Sequence, residues 1–193
     1  MIFNTDDNKT NNNYKLMAQT IIPRPIAWVV TEDKGVINIA PFSYFISLSS
    51  NPATVLISVG HKSDGTPKDT LHNILKTKKC TICMVEKENL EKMHYSSKEL
   101  DKDISEAELY NIELESIFDE FPSMIKGVGC AYFCEFNQEI DLGGGSTIPL
   151  VLNVKQIYIK DELITDKKRL IIEFTPIARV GKSYVELGDE LVV

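Results

Sequence analysis

The sequence lacks several features, and each absence closes a class of function. No apolar run approaches the ~20 residues of a membrane-spanning helix, so no membrane partner is expected. The N-terminal stretch MIFNTDDNKTNNNYK has no apolar signal core. It therefore reads as a polar tail over residues 1–14, and the expected location is the cytoplasm. A basic stripe is also missing. KTKK at 76–79 and KKR at 167–169 are the densest basic runs, against a formal net charge of -7. A nucleic-acid partner is not expected on that balance.

Cysteine is sparse, with four residues at positions 80, 83, 130 and 134. The KCTICMV pair has a spacing known from metal sites, yet it lies in a strand-like run. Positions three apart on a strand point to opposite faces. GCAYFCEF is strand-like too, and no histidine lies near either pair. Buried, reduced thiols are the expectation, and no metal is assigned.

The chain of 193 residues is long enough for one domain with a substantial core, expected over 15–193. IIPRPIAWVVT (21–31) reads as a strand with two prolines near its start, EDKG (32–35) as a turn and VINIAP (36–41) as the returning strand. ATVLISVG (53–60) reads as a buried strand. TICMVE (81–86), VGCAYFCEF (128–136), IPLVLNVKQIYI (148–159) and LIIEF (170–174) supply more. Helices are expected after TPKD (66–69), in ENLEKMHYSS (88–97) and in ISEAELYNIEL (104–114). The pattern is mainly β, an antiparallel barrel or sandwich with a few flanking helices. GGG at 143–145 reads as a hairpin loop, because no helix follows to make it a phosphate cradle.

Three places could carry chemistry. The first is the helix start at 66–70. Thr66 suits the N-cap, Pro67 the first helical position and Asp69 the capping-box place. With Lys68 and Thr70 this start reads either as an anion site or as a capped surface helix. The second is NIAPFSYFISLSSNP (38–52), apolar and aromatic but threaded with hydroxyls. If Ala40–Phe45 leaves the strand ladder, its backbone groups can line the edge of a flat ring system. The alternative is an ordinary strand with turn serines. The third is Arg24, held extended between prolines, either a salt-bridge residue or a phosphate partner.

Taken together these segments resemble the flavin reductase-like, FMN-binding split-barrel family, the group that includes flavoredoxin. The matching segments are IIPRPIAWVVT, GVINIAPFSYF, SSNP, PKDTLHNI and RVGKSYVELG (179–188), and the resemblance covers about residues 15–190. It implies a six-stranded antiparallel Greek-key split barrel, a homodimer, and FMN near the subunit interface. By the same resemblance Ala40, Pro41, Phe42 and Ser43 border the flavin ring through main-chain groups, with Thr31 close by. Ser47 and Ser49, with Lys68, Asp69 and Thr70, surround the ribityl and phosphate part, where Arg24, read from its own setting as a candidate phosphate partner, would also belong. Arg179 and Tyr184 approach late in the chain.

The chain departs from the pattern at Ile46, Ala53 and the HKSDGTP insertion (61–67), which leaves the role of His61 open. The implied activity is a flavin-dependent oxidoreductase taking electrons from NADH or NADPH, with no catalytic side chain assigned. A flavin carrier or storage protein without efficient nucleotide oxidation remains the alternative.

Overall fold

The computed structural model describes residues 1–6, 12–145, 147–189 and 191. Of the expected tail, residues 7–11 lie outside this set, and the first helix, α1, spans Asn12–Thr20. A short β1 (Arg24–Pro25) leads into β2 (Ala27–Asp33), which turns back as β3 (Val36–Phe42). The hairpin narrows the expected four-residue turn to Lys34 and Gly35, at φ 53° and 82°. A two-residue hairpin loop with positive φ at both positions matches the twist of the flanking strands.

β4 (Phe45–Ser50) and β5 (Ala53–Gly60) follow, then α2 (Asp69–Thr77) and β6 (Lys79–Met84). Two short helices, α3 (Leu90–Tyr95) and α4 (Glu106–Leu109), precede a small pair, β7 (Leu114–Glu115) and β8 (Met124–Ile125). The long hairpin β9 (Cys130–Glu139) and β10 (Thr147–Ile159) is joined through the GGG segment, as expected. β11 (Ile164–Asp166) pairs with β12 (Ile171–Ile172), and β13 (Ala178–Val180) lies between β1 and β14 (Ser183–Val185).

The main sheet is antiparallel and runs β3-β2-β6-β9-β10-β5-β4. The fold is mainly β with flanking helices, but two expectations are corrected. The sheet has seven strands rather than six and is not closed, leaving β3 and β4 as its edges. LIIEF contributes only the exposed β12 of a separate two-stranded sheet. The extra strand is β4. Its serines and exposed apolar side chains break the alternation by which a half-buried strand is recognised.

The sheet divides two cores. Ile26, Trp28 and Val30 face one, with Met93, Phe121 and Phe133. Ala27 and Val29 face the other, with Ile57, Leu71, Ile74 and Leu152. Burial on both faces makes β2 read as a continuous apolar run. The same alternation sends Cys83 into the first core and Cys80 into the second. The C-x-x-C spacing therefore does not bring these two thiols together.

α2 packs Leu71 and Ile74 into the second core and ends at Lys78, whose left-handed backbone donates its N–H to the Ile74 carbonyl. Full burial of each such side chain contributes roughly 1.5–3 kcal/mol. The helix starts later than expected: Lys68 is the N-cap, and no side chain caps the turn. Pro67 pairs instead with His61 in an isolated bridge, and the Thr66 hydroxyl donates to Asp64 Oδ1 at 2.6 Å. The 61–67 insertion is thus a closed loop, pinned by Lys62 N–H on the Thr66 carbonyl at 2.7 Å.

Candidate functional site

β3 runs along the open edge of the sheet, and the candidate site follows it. Ala40 pairs with Val29, Pro41 with Trp28 and Phe42 with Ala27. The expected departure of Ala40–Phe45 from the ladder is therefore confined to Ser43 and Tyr44, between β3 and β4. Backbone groups are still free, because only one side of β3 is paired. The Ile39 N–H points away from β2 and is taken by Glu106 Oε2 at 2.9 Å. Alternation along an antiparallel pair places the Pro41 carbonyl on that same outer side. Proline lacks an N–H, yet no ladder bond is lost at this position.

Against the end of β3 lies a cavity of about 200 Å³. Ile26, Pro41, Phe42, Met93 and Tyr14 supply apolar and aromatic wall; Ser43, His94, Ser97, Arg179 and Tyr184 supply polar groups. Arg179 and Tyr184 face each other across β13 and β14, with the guanidinium carbon 4.5 Å from the ring centroid. Arg179 Nε donates to the Gly181 carbonyl at 3.1 Å, which fixes the arm. The Tyr184 hydroxyl is 3.0 Å from His94 Nδ1, and the two rings meet edge to face. Apolar walls with a few converging polar groups are the usual chemistry of a small-molecule pocket.

A second, narrower cleft of about 30 Å³ continues along β3, with Ser97 common to both. Asn38, Ala40, Lys68, Asp69, Thr70 and Glu106 line it, with Lys62 and the 96–100 segment opposite. Lys62 and Asp69 form an ion pair at 2.7 Å. Lys62, Lys68 and Lys98 are balanced by Asp69, Glu99 and Glu106, so the cleft is charge-mixed rather than simply basic. Glu106 is buried, and its desolvation raises the carboxyl above its ordinary range. Two backbone N–H bonds, from Ile39 and from Glu106 itself, and nearby Lys62 oppose that rise, while Asp69 adds to it.

Several site residues occupy other places than expected. Thr31 is fully buried in β2, and its hydroxyl accepts from the amides of Asn38 at 3.3 Å and Asn73 at 3.1 Å. It has no surface to offer a ring and acts through Asn38, which also donates to the Thr70 hydroxyl at 2.9 Å. Arg24 is buried, with Nη1 donating to the Ala18 and Ile21 carbonyls at 2.5 and 2.9 Å. The phosphate-partner reading is replaced by a strut that ties the end of α1 to β1; its Nε reaches Ser43 Oγ at 3.4 Å.

Ser47 and Ser49 stand exposed on β4, the opposite edge, and line neither cavity. Pro41–Ser43, Arg179 and Tyr184 do gather around the first cavity, and Ala40 and Lys68–Thr70 around the second. Tyr14, Met93, His94 and Ser97 were not foreseen. The only signal for the last three is the helix expected at 88–97, which does not say what the helix covers.

The chain is similar to known proteins along nearly its whole length. Residues 17–172 match the family profile of the flavin reductase like domain. An uncharacterised protein of Halalkalibacterium halodurans is 33% identical over 196 residues, covering 98% of this chain and 93% of the relative. Component B of nitrilotriacetate monooxygenase from Bacillus cereus superposes with a TM-score of 0.91 at 27% identity, over 100% of this chain and 98% of that one. The 2-nitrobenzoate 2-nitroreductase of Pseudomonas fluorescens gives 0.88 at 26% identity, over 100% and 95%.

Proposed function

Because the chain belongs to the flavin reductase-like family, we propose that it is an FMN-dependent oxidoreductase whose flavin lies along the open edge of β3. The observation that carries this reading is the cavity beside Pro41–Ser43, closed from the far end of the chain by Arg179 and Tyr184. Its walls fit a planar heterocycle: Ile26, Phe42 and Met93 contact faces, while Ser43, Ser97 and outward backbone groups meet polar edges. Lys68, Lys98 and the first turn of α2 would hold the phosphate. FMN held there would supply the redox chemistry, carrying electrons between a nicotinamide nucleotide and an acceptor.

The protein's own residues bind, orient and exclude water. Glu106 fixes the β3 edge through Ile39, and Arg24 steadies Ser43. The His94–Tyr184 pair holds a polar wall opposite Phe42. Two solved relatives are named for oxidoreductase systems, a monooxygenase component and a nitroreductase, which supports the enzyme reading over a passive carrier.

A homodimer is part of the proposal. The unpaired edge strand β4 exposes Ile46 and Leu48, and Tyr44 beside it contacts the exposed Tyr14 at a ring-centroid distance of 6.1 Å. Ser47 and Ser49 lie on that same edge, so their expected cofactor contacts would be made across the dimer.

Anaerobic addition of NADH and of NADPH to the FMN-loaded protein tests the function. Bleaching of the visible flavin bands by either nucleotide is expected. Persistent oxidised spectra with both would leave only a flavin carrier.

A further inference from the structure

The chain carries 28 aspartates and glutamates against 21 lysines and arginines, yet among the described residues no carboxylate lines the cavity at the end of β3. The one permanent charge on the described part of its wall is the guanidinium of Arg179. The other titratable groups there are Tyr14, His94 and Tyr184. The narrower cleft beside it differs, since three lysines meet three carboxylates in it.

Arg179 is also short of partners. It stands directly opposite Arg24 in the β1–β13 pair, and like charges in that position repel. Arg24 is offset by the carbonyl end of α1, through Ala18 and Ile21. Arg179 meets the Gly181 carbonyl through Nε and the face of the Tyr184 ring, both of them neutral. Among the described residues it enters no ion pair. Arginine is the usual choice where a carboxylate or phosphate is to be met out of bulk water. A half-buried arginine with another arginine opposite and no acid beside it is therefore matched to an anion from outside the chain.

We infer that Arg179 makes this cavity hold reduced flavin more tightly than oxidised flavin. The inference deepens the proposed function and rests on the flavin ring lying there. A hydride from a nicotinamide nucleotide brings two electrons and one proton, so it leaves the otherwise neutral ring with one negative charge. Arg179 attracts that charge, and no carboxylate among the described lining residues opposes it. The Gly181 and Tyr184 contacts hold the guanidinium in place beforehand, so the preference needs no rearrangement. By linkage, tighter binding of the reduced form raises the potential of the bound flavin above that of the free one. Electrons then leave from the bound ring, and flavin exchange follows reoxidation.

Anaerobic spectroelectrochemical titration of the FMN-loaded protein is the test, at mildly alkaline pH so that the reduced ring stays ionised. Fluorescence quenching supplies the affinity for oxidised FMN. The reduced form should bind on the order of tenfold more tightly. That places the midpoint about 30 mV above free FMN for a two-electron couple. Arg179→Gln should lose the shift, its affinity for reduced FMN falling further than its affinity for oxidised FMN. Arg179→Lys keeps the charge and should keep most of the shift. A glutamine variant with the wild-type shift overturns the inference. So does one in which both forms weaken equally, because the arginine would then only pack. The wild type alone gives a second reading. Both forms of FMN carry the same phosphate and differ in ring charge, so the shift should shrink as salt is raised; a shift indifferent to salt overturns the electrostatic assignment. Wild-type protein that binds both forms equally, or the oxidised form better, sinks only this inference. Protein that binds neither form sinks the flavin reading as well.

Discussion

Glu106 shows how one side chain links fold and site. It takes the outward N–H of Ile39, which would otherwise leave the β3 edge open to pairing with another chain. Burial raises its folded-state pKa above the ordinary 4.5. A raised carboxyl pKa means that the native state binds the proton more tightly than the unfolded state does. The stability linked to that proton is fully present below 4.5 and is lost as pH rises through the folded value. Glu106→Gln keeps a neutral acceptor for Ile39, so its thermal-melt profile should be flatter than that of the wild type above pH 4.5. Parallel profiles would show that burial does not raise the carboxyl's pKa in the fold.

Lys68 gives a second test at this scale. Lys68→Ala should weaken FMN binding by roughly 1–2 kcal/mol, the loss of one charge-assisted contact, read by fluorescence titration. Unchanged affinity would move the phosphate elsewhere. Lys68 and Thr31 also mark what the sequence discloses. Lys68–Thr70 and Ala40–Ser43 are local motifs, and the fold sets them along the two cavities. The reach of a side chain is not legible in the sequence: Thr31 is in the right strand but buried, and Arg24 spends its guanidinium on α1 carbonyls.

At the scale of elements, the site depends on α3 being docked over β2. The fully buried Trp28 donates its indole N–H to Ser96 Oγ at 2.9 Å, and Ser96 in turn donates to the Met93 carbonyl at 2.9 Å. This clamp holds Met93, His94 and Ser97 against the end of β3. The sequence points to a helix at 88–97 but not to its docking, so nothing in it singles out these three residues. Trp28→Phe removes the donor and leaves a void, and should cost about 2–4 kcal/mol in denaturant melts. Loss of FMN affinity should accompany it; a destabilised protein with unaltered affinity would show that α3 does not shape the site. The hairpin β2–β3 was legible because Lys34–Gly35 fits a two-residue turn between apolar runs. The start of α2 was misplaced because Pro67 and Thr66 suit a helix cap, yet the 61–67 loop closes on itself first.

At the scale of the whole molecule, two open sheet edges and a net charge of -7 set the terms of association. Glu106 protects one edge. β4, with Ile46 57% and Leu48 49% exposed, is unprotected among the described residues and is the surface a second copy would cover. Ile46→Glu combined with Leu48→Glu should convert a dimer to a monomer in light scattering; an unchanged mass would place the interface elsewhere. The central claim concerns the cavity at the end of β3, and FMN fluorescence quenching measures it most directly. Saturable quenching at one FMN per chain is expected for the wild type, and its loss is expected when Ser43→Trp fills the cavity. Wild-type protein that does not quench FMN, or a filled variant that binds as well as the wild type, would contradict the account.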